Sequence, residues 1–106
     1  MESMGLFGFL KTNDINVEVA DREDNSVLMD VRERDEYSAG HVPGAVNYPL
    51  SGLEKEELPW DKSTPIYVYC LAGTRSRRAV GILQDKGYTN VKNIGGINSW
   101  RGSLEK

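Results

Sequence analysis

A single cysteine, Cys70, and a single histidine, His41, are all the chain has of the two residue types that most often build staples and metal sites. One cysteine excludes an internal disulfide, and with no paired Cys/His spacing there is no zinc site to assemble, so the fold must stand on its core and we expect neither metal nor cofactor. A reducing, cytoplasmic setting suits that usage. Positive charge is in short supply: thirteen Lys and Arg face sixteen Asp and Glu, a formal net charge of -3, which argues against a general nucleic-acid binder. The exception is local, since Arg75, Arg77 and Arg78 cluster in an otherwise acidic chain and would draw an anion to that spot. Long apolar runs are missing too. No window approaches the roughly twenty apolar residues that cross a bilayer. The apolar stretch Met4 to Leu10 has no basic segment before it and no small-residue cleavage pattern after it, so we expect no signal peptide and no membrane association.

What is present fits one domain. With 106 residues and 39% apolar content the chain can bury a real core but cannot divide into two. We read residues 1–13 as an N-terminal extension and 14–106 as the domain. Ile15 to Val19 fits either an edge strand or the first turn of a helix. Ser26 to Val31 reads as a buried strand running into charged residues, Arg32 to Glu36, that open a short helix stopped by Gly40. Pro43-Gly44 turns the chain into a short strand, Ala45 to Tyr48, closed by Pro49. Ser51 and Glu54 have the spacing of a capping box and predict a brief helix carrying Glu54, Glu56 and Glu57 near its positive end. Ile66 to Tyr69 is apolar at successive positions, as a strand covered on both faces should be. A helix with Ala79, Val80 and Leu83 on its buried stripe follows and ends at Gly87, with Tyr88 packing back. Val91 to Ile94 is the last strand, and Gly95-Gly96 a turn into Asn98-Ser99-Trp100. Strands alternating with helices at this spacing predict an α/β fold with a parallel sheet and helices on both faces.

In such sheets ligands bind beyond the carboxyl ends of the strands, and Cys70 falls at one of those ends. The loop Leu71-Ala72-Gly73-Thr74-Arg75-Ser76 leads from it directly into a helix. A glycine-containing strand-to-helix turn aims successive backbone N–H groups into a small concavity, and the first helical turn adds the positive end of its dipole. Both favour a thiolate, so the Cys70 pKa should lie below that of an ordinary thiol. The competing reading, a small buried hydrophobe at a strand end, accounts for the cysteine but not for the loop. Chemistry at sulfur needs a deprotonated thiol, a cradle for the anion and room for one more sulfur atom, with no general base. Hydrolytic cysteine enzymes pair the thiol with an imidazole, and His41 sits in a turn with no local orienting group. A Cys70–His41 dyad therefore stands second to a structural His41 that bonds backbone or a neighbouring carboxylate.

Three segments resemble the rhodanese-like domain family. Leu28-Met29-Asp30-Val31-Arg32-Glu33, Glu36-Tyr37, Gly40-His41-Val42-Pro43-Gly44-Ala45 and Asn47-Tyr48-Pro49 follow its first signature. Tyr69 to Ser76 looks like its active-site loop, and Gly95-Gly96-Ile97-Asn98-Ser99-Trp100 is similar to its closing signature. The matches occur in the family's order over about residues 14 to 102. The resemblance implies a five-stranded parallel sheet and a persulfide carried on Cys70, with Leu71, Ala72, Gly73, Thr74 and Arg75 forming the cradle. Asp30, Arg32 and His41 fall at positions of structural support. It implies a small anionic sulfur donor such as thiosulfate and an acceptor that is cyanide or a thiol, a sulfur-carrier protein among the acceptors. The six residues from Cys70 to Arg75 make the loop of sulfur-binding members, whereas phosphatases and arsenate reductases on a similar scaffold carry one residue more. A tighter ring of N–H groups suits one sulfur atom better than a tetrahedral oxyanion. A rhodanese-like module that binds a partner without turnover is the second reading, and the cysteine counts against it. Arg75 is placed to orient the donor's sulfonate, with Arg77 and Arg78 more in keeping with a solvated helix face.

Overall fold

The structure, a computed structural model, describes residues 14–106; the extension read over 1–13, with the apolar stretch Met4 to Leu10, lies outside the described residues. The chain begins with helix α1 (Ile15–Asp21), capped by the Asp14 carboxylate, which accepts from the Asn16 N–H at 3.0 Å. That cap decides the ambiguous first segment. Ile15 and Val19, four apart on a helix, both face the core, and Ile15 is wholly buried. Four parallel strands follow: β1 (Val27–Asp30), β2 (Val46–Asn47), β3 (Ile66–Cys70) and β4 (Val91–Gly96), in the order β2-β1-β3-β4. The sheet among the described residues thus has four strands where five were expected, because the segment that offered an edge strand is spent on α1.

Alternation along the strands divides the core in two. Val27, Met29, Ile66, Val68 and Cys70 point to one face, where helices α3 (Leu50–Leu53) and α4 (Thr74–Asp85) contribute Leu53, Ala79 and Leu83. Leu28, Tyr69 and Ile94 point to the other, against Ile15 of α1, Val42 and Ala45. Both strand faces are covered, which is why β1 and β3 read as continuous apolar runs. At its far end α4 is closed by a Schellman motif: the Tyr88 N–H donates to the Leu83 carbonyl (3.0 Å) and the Gly87 N–H to that of Gln84 (2.9 Å). Gly87 takes φ +104° to make this turn, and Tyr88 folds back into the core.

Two local expectations are corrected. Ser51 does not cap a helix: α3 starts at Leu50 after Pro49, ends at Leu53, and leaves Glu56 and Glu57 beyond it. Its position is set instead by the Leu50 N–H, which donates to the Val31 carbonyl at 3.0 Å, and by the buried Leu53. A capping box does occur, at helix α2 (Arg34–Ala39), where the Glu36 carboxylate accepts from the Glu33 N–H at 2.9 Å. Gly95-Gly96, read as a turn, belongs to β4. Val68 pairs with Asn93 and Cys70 with Gly96, so β4 spends one more residue than β3 over this stretch, and the bulge is absorbed by Gly95 at φ +101°.

Candidate active site

The carboxyl ends of β1, β3 and β4 bring together what the sequence keeps far apart. Cys70 is the last residue of β3, and after Leu71 and Ala72 the chain enters α4 through Gly73, whose φ of +103° is a left-handed conformation that glycine adopts without strain. This tight return folds the first turn of α4 over the sulfur. Cys70 Sγ accepts from the Gly73 N–H at 3.0 Å and from the Ser76 N–H at 3.3 Å, with the Ser76 hydroxyl 3.4 Å away. The side chain is buried. Burial pushes the thiol pKa up, but hydrogen bonds from the Ser76 hydroxyl and from the N–H groups of Ser76, Gly73 and Ala72 outweigh it, and the net shift is downward.

Behind the loop stands Asn93 of β4. Its Nδ2 donates to the Gly73 carbonyl (3.1 Å), while its Oδ1 accepts from the Gly95 N–H (3.0 Å) and lies 2.8 Å from the Ser76 hydroxyl. That hydroxyl is also 3.0 Å from the Gly73 carbonyl. One proton serves three acceptors. A thiolate is the strongest of them, so ionisation of Cys70 favours turning the hydroxyl toward sulfur. Gly96, the partner of Cys70 across the sheet, lies directly under the loop. A Cβ there would overlap the Leu71 carbonyl oxygen and come within 2.6 Å of the Ala72 Cα.

Of the residues expected to form the cradle, Leu71 to Arg75, Gly73 and Ala72 turn their N–H groups to the sulfur, while Thr74 and Arg75 are the first two residues of α4. Leu71 exposes 47% of its surface beside the cysteine. Arg75 turns away to Glu36 of α2, making a bidentate pair of 2.7 and 3.1 Å. The Arg75 guanidinium holds the Glu36 carboxyl at a pKa of about 2. Asp30 and Arg32 form a buried pair, Nη2 to Oδ2 at 2.7 Å, and the same Nη2 donates to the Gly40 carbonyl at 2.8 Å, tying the end of β1 to the end of α2. His41 is stacked on Tyr37 (ring centroids 3.7 Å apart), its Nδ1 is 2.9 Å from the Tyr37 carbonyl, and its Nε2 faces Glu105 at 3.9 Å. These are backbone and carboxylate partners, whereas the polar partners of the sulfur are Gly73 and Ser76. Of the other two arginines, Arg78 lines a cavity with Arg75.

Asn93 escaped the sequence, while Ser76, Glu36 and Gly96 fell inside matched segments without the contacts they make here. Ser76 was within reach, since the third residue of a helix that starts over an anion must aim its N–H there. Glu36 had a local sign in its spacing from Glu33. Asn93 and the close approach of Gly96 depend on the β3–β4 pairing and left no local trace.

A buried cysteine whose sulfur accepts hydrogen bonds from backbone N–H groups, at the carboxyl edge of a parallel sheet covered on both faces, marks the candidate site of an α/β domain. The chain belongs to the rhodanese-like domain family, whose model matches residues 16–103. It is 43% identical over 81 residues to Uncharacterized protein YqhL of Bacillus subtilis, covering 74% of this chain and 63% of YqhL, so it spans under two thirds of that relative's length. It is 42% identical over 72 residues to Thiosulfate sulfurtransferase PspE of Escherichia coli, covering 65% of this chain and 68% of PspE. Among solved structures, a rhodanese with anions from E. coli superposes with a TM-score of 0.68 at 37% identity, over 76% of this chain and 98% of that one.

Proposed function

We propose that the protein is a rhodanese-type sulfurtransferase of the thiosulfate:cyanide class, moving sulfane sulfur from a donor to a thiophilic acceptor through a persulfide on Cys70. The observation that carries the reading is the Cys70 sulfur itself, buried yet accepting hydrogen bonds from the N–H groups of Gly73 and Ser76. A structural cysteine has no use for them. With thiosulfate, the Cys70 thiolate attacks the outer sulfur, the donor's S–S bond breaks, and its electron pair leaves with sulfite. Cyanide or an acceptor thiolate then attacks the outer sulfur of the persulfide, and the electron pair returns to Cys70 as thiolate. No proton has to be carried by a general base, which agrees with a His41 bonded elsewhere. Leu71, Ala72, Gly73, Thr74 and Arg75 shape the rim, while Asp30, Arg32 and His41 brace the loops next to it. A reducing cytoplasm, with a sulfur-carrier protein among the acceptors, is the setting in which such a thiolate persists.

The test is intact-mass analysis after incubation with excess thiosulfate or polysulfide. One added sulfur atom, removed by cyanide and absent from Cys70→Ser, is the expected result. A folded wild type that gains no sulfur from any donor would make the domain a binding module. Aryl-phosphate hydrolysis without sulfur loading would move it to the phosphatase branch.

A further inference from the structure

The Ser76 hydroxyl has one proton and stands between two acceptors of different kinds. Cys70 Sγ lies 3.4 Å from it and Asn93 Oδ1 2.8 Å, so while the sulfur is neutral the shorter bond, to the amide oxygen, is the better one. The amide itself is held at both ends. Within the bulge of β4 the Gly95 N–H donates to Oδ1 at 3.0 Å, and Nδ2 donates to the Gly73 carbonyl at 3.1 Å. The loop does not depend on that second bond. The Arg77 N–H also donates to the Gly73 carbonyl, at 3.2 Å, and Gly96 lies under Leu71 and Ala72. Asn93 is thus dispensable as a brace and well placed as a rival to the sulfur for the hydroxyl. The charged groups of the elements around the loop answer one another: Arg75 of α4 is paired with Glu36, Arg32 with Asp30 at the end of β1, and Lys92 of β4 with Glu18, while Arg77 and Arg78 are exposed.

We propose that Asn93 is a positioning residue that acts through Ser76: it holds the hydroxyl off Cys70 Sγ while that sulfur is neutral, yields it when negative charge arrives there, and so balances sulfur uptake against release. The proposal rests on the sulfurtransferase reading above. In uptake from thiosulfate, the Cys70 thiolate attacks the outer sulfur, the donor's S–S bond breaks, and sulfite leaves with its electron pair. The charge then lies on the outer sulfur of the persulfide, Sγ is neutral, and the hydroxyl returns to Asn93 Oδ1. In release, cyanide or an acceptor thiolate takes the outer sulfur, the electron pair comes back to Sγ, and the hydroxyl follows it. A hydroxyl bonded to the sulfur makes the thiolate a weaker nucleophile and a better leaving group. By competing for that hydroxyl, Asn93 moves Cys70 toward uptake.

The test is a double-mutant cycle read by the pH profile of Cys70 alkylation with iodoacetamide, in wild type, Asn93→Ala, Ser76→Ala and the double variant. The surrounding charges are the same in all four proteins and drop out of the comparison. Asn93→Ala frees the hydroxyl for the sulfur, so the midpoint falls by about half a unit to one unit, the worth of one neutral hydrogen bond. In the Ser76→Ala background the same change moves nothing. A brace would do the reverse, since a loosened loop takes its N–H groups away from the sulfur and raises the midpoint. A midpoint that rises or stays put in Asn93→Ala, or that falls equally with and without Ser76, overturns the proposal. Should the alanine variant not fold, Asn93→Asp keeps the acceptor for Gly95 and Ser76. Its carboxylate grips the hydroxyl harder, so the midpoint rises by more with Ser76 present than without it, and equal rises are the refuting result. Single-turnover intact mass reads the balance itself: above all the midpoints, Asn93→Ala loads from thiosulfate about twofold more slowly and unloads to cyanide faster, and two rates that move together overturn the assigned role. A folded wild type that loads no sulfur removes the sulfurtransferase reading alone, and the midpoints still decide whether Asn93 acts through Ser76.

Discussion

Replacing Ser76 by alanine removes one hydroxyl and tests how the thiolate is made. The hydroxyl lies 3.4 Å from Cys70 Sγ, a long contact, so its worth to the anion belongs at the weak end of hydrogen bonds to charged groups, about 1.5 kcal/mol. That corresponds to a rise of about one unit in the Cys70 pKa. The consequence for rate is less than tenfold, because a more basic thiolate is also a better nucleophile. With a Brønsted slope of about 0.4–0.5, one unit raises intrinsic reactivity about threefold. Below both midpoints the variant therefore reacts about threefold more slowly, and above both about threefold faster. The two pH profiles cross. The fold should survive, since Asn93 Oδ1 keeps the Gly95 N–H and the Gly73 carbonyl keeps Asn93 Nδ2, and no buried polar group is orphaned. The assay is the rate of Cys70 alkylation by iodoacetamide from pH 5 to 10, with denaturant unfolding as the control. Superimposed profiles would show that the hydroxyl does not feel the sulfur's charge. Profiles displaced by a constant factor at every pH would make Ser76 a matter of loop placement alone.

Other outcomes follow from neighbouring contacts. Gly96→Ala should force the loop off β4, costing about 1–3 kcal/mol of stability by overpacking and most of the sulfur transfer, read by thermal unfolding and thiocyanate release; a variant with wild-type activity and stability would show that the loop yields freely. Asp30→Asn leaves the Arg32 guanidinium buried without its counter-charge and should cost about 3–5 kcal/mol in denaturant unfolding, while a loss under 1 kcal/mol would refute the brace. Glu36 is depressed to about 2, so the stability from its pairing with Arg75 is complete above the ordinary carboxylate pKa and is lost as pH falls from about 4.5 to 2. The pair is about one third exposed, which limits its worth to about 1 kcal/mol. The difference between wild type and Glu36→Gln should shrink by that much over this acid range, and a difference independent of pH would contradict the assignment.

Much of this was written locally. The β3 run Ile66 to Tyr69, the lone cysteine at its end and the glycine loop before a helix point to a strand and to N–H groups aimed at the sulfur from neighbours alone, because backbone geometry over a few residues fixes where the N–H groups aim. The signals that misled were local patterns overruled by tertiary contacts. Ser51 and Glu54 have capping-box spacing, but the Leu50 N–H docks on Val31 and sets the start of α3 two residues earlier than a Ser51 cap would. Gly95-Gly96 has the composition of a turn, and only the pairing of Cys70 with Gly96 shows it to be a bulge. Arg75 read as a free cation because nothing in its own segment announces Glu36, thirty-nine residues upstream.

The bulge and Asn93 also order events in time. A ribosome releases Cys70 well before the residues of β4 that stand behind its loop. Until those residues emerge and pair with β3, Asn93 cannot hold the Gly73 carbonyl and Gly96 cannot lie under Leu71. The nascent thiol is then ordinary, protonated at neutral pH and slow toward oxidants. Reactivity arrives with the last strand, so an incomplete or misfolded copy carries little of the chemistry that would damage it, and a rapid reaction with a thiol probe certifies that β3 and β4 have joined.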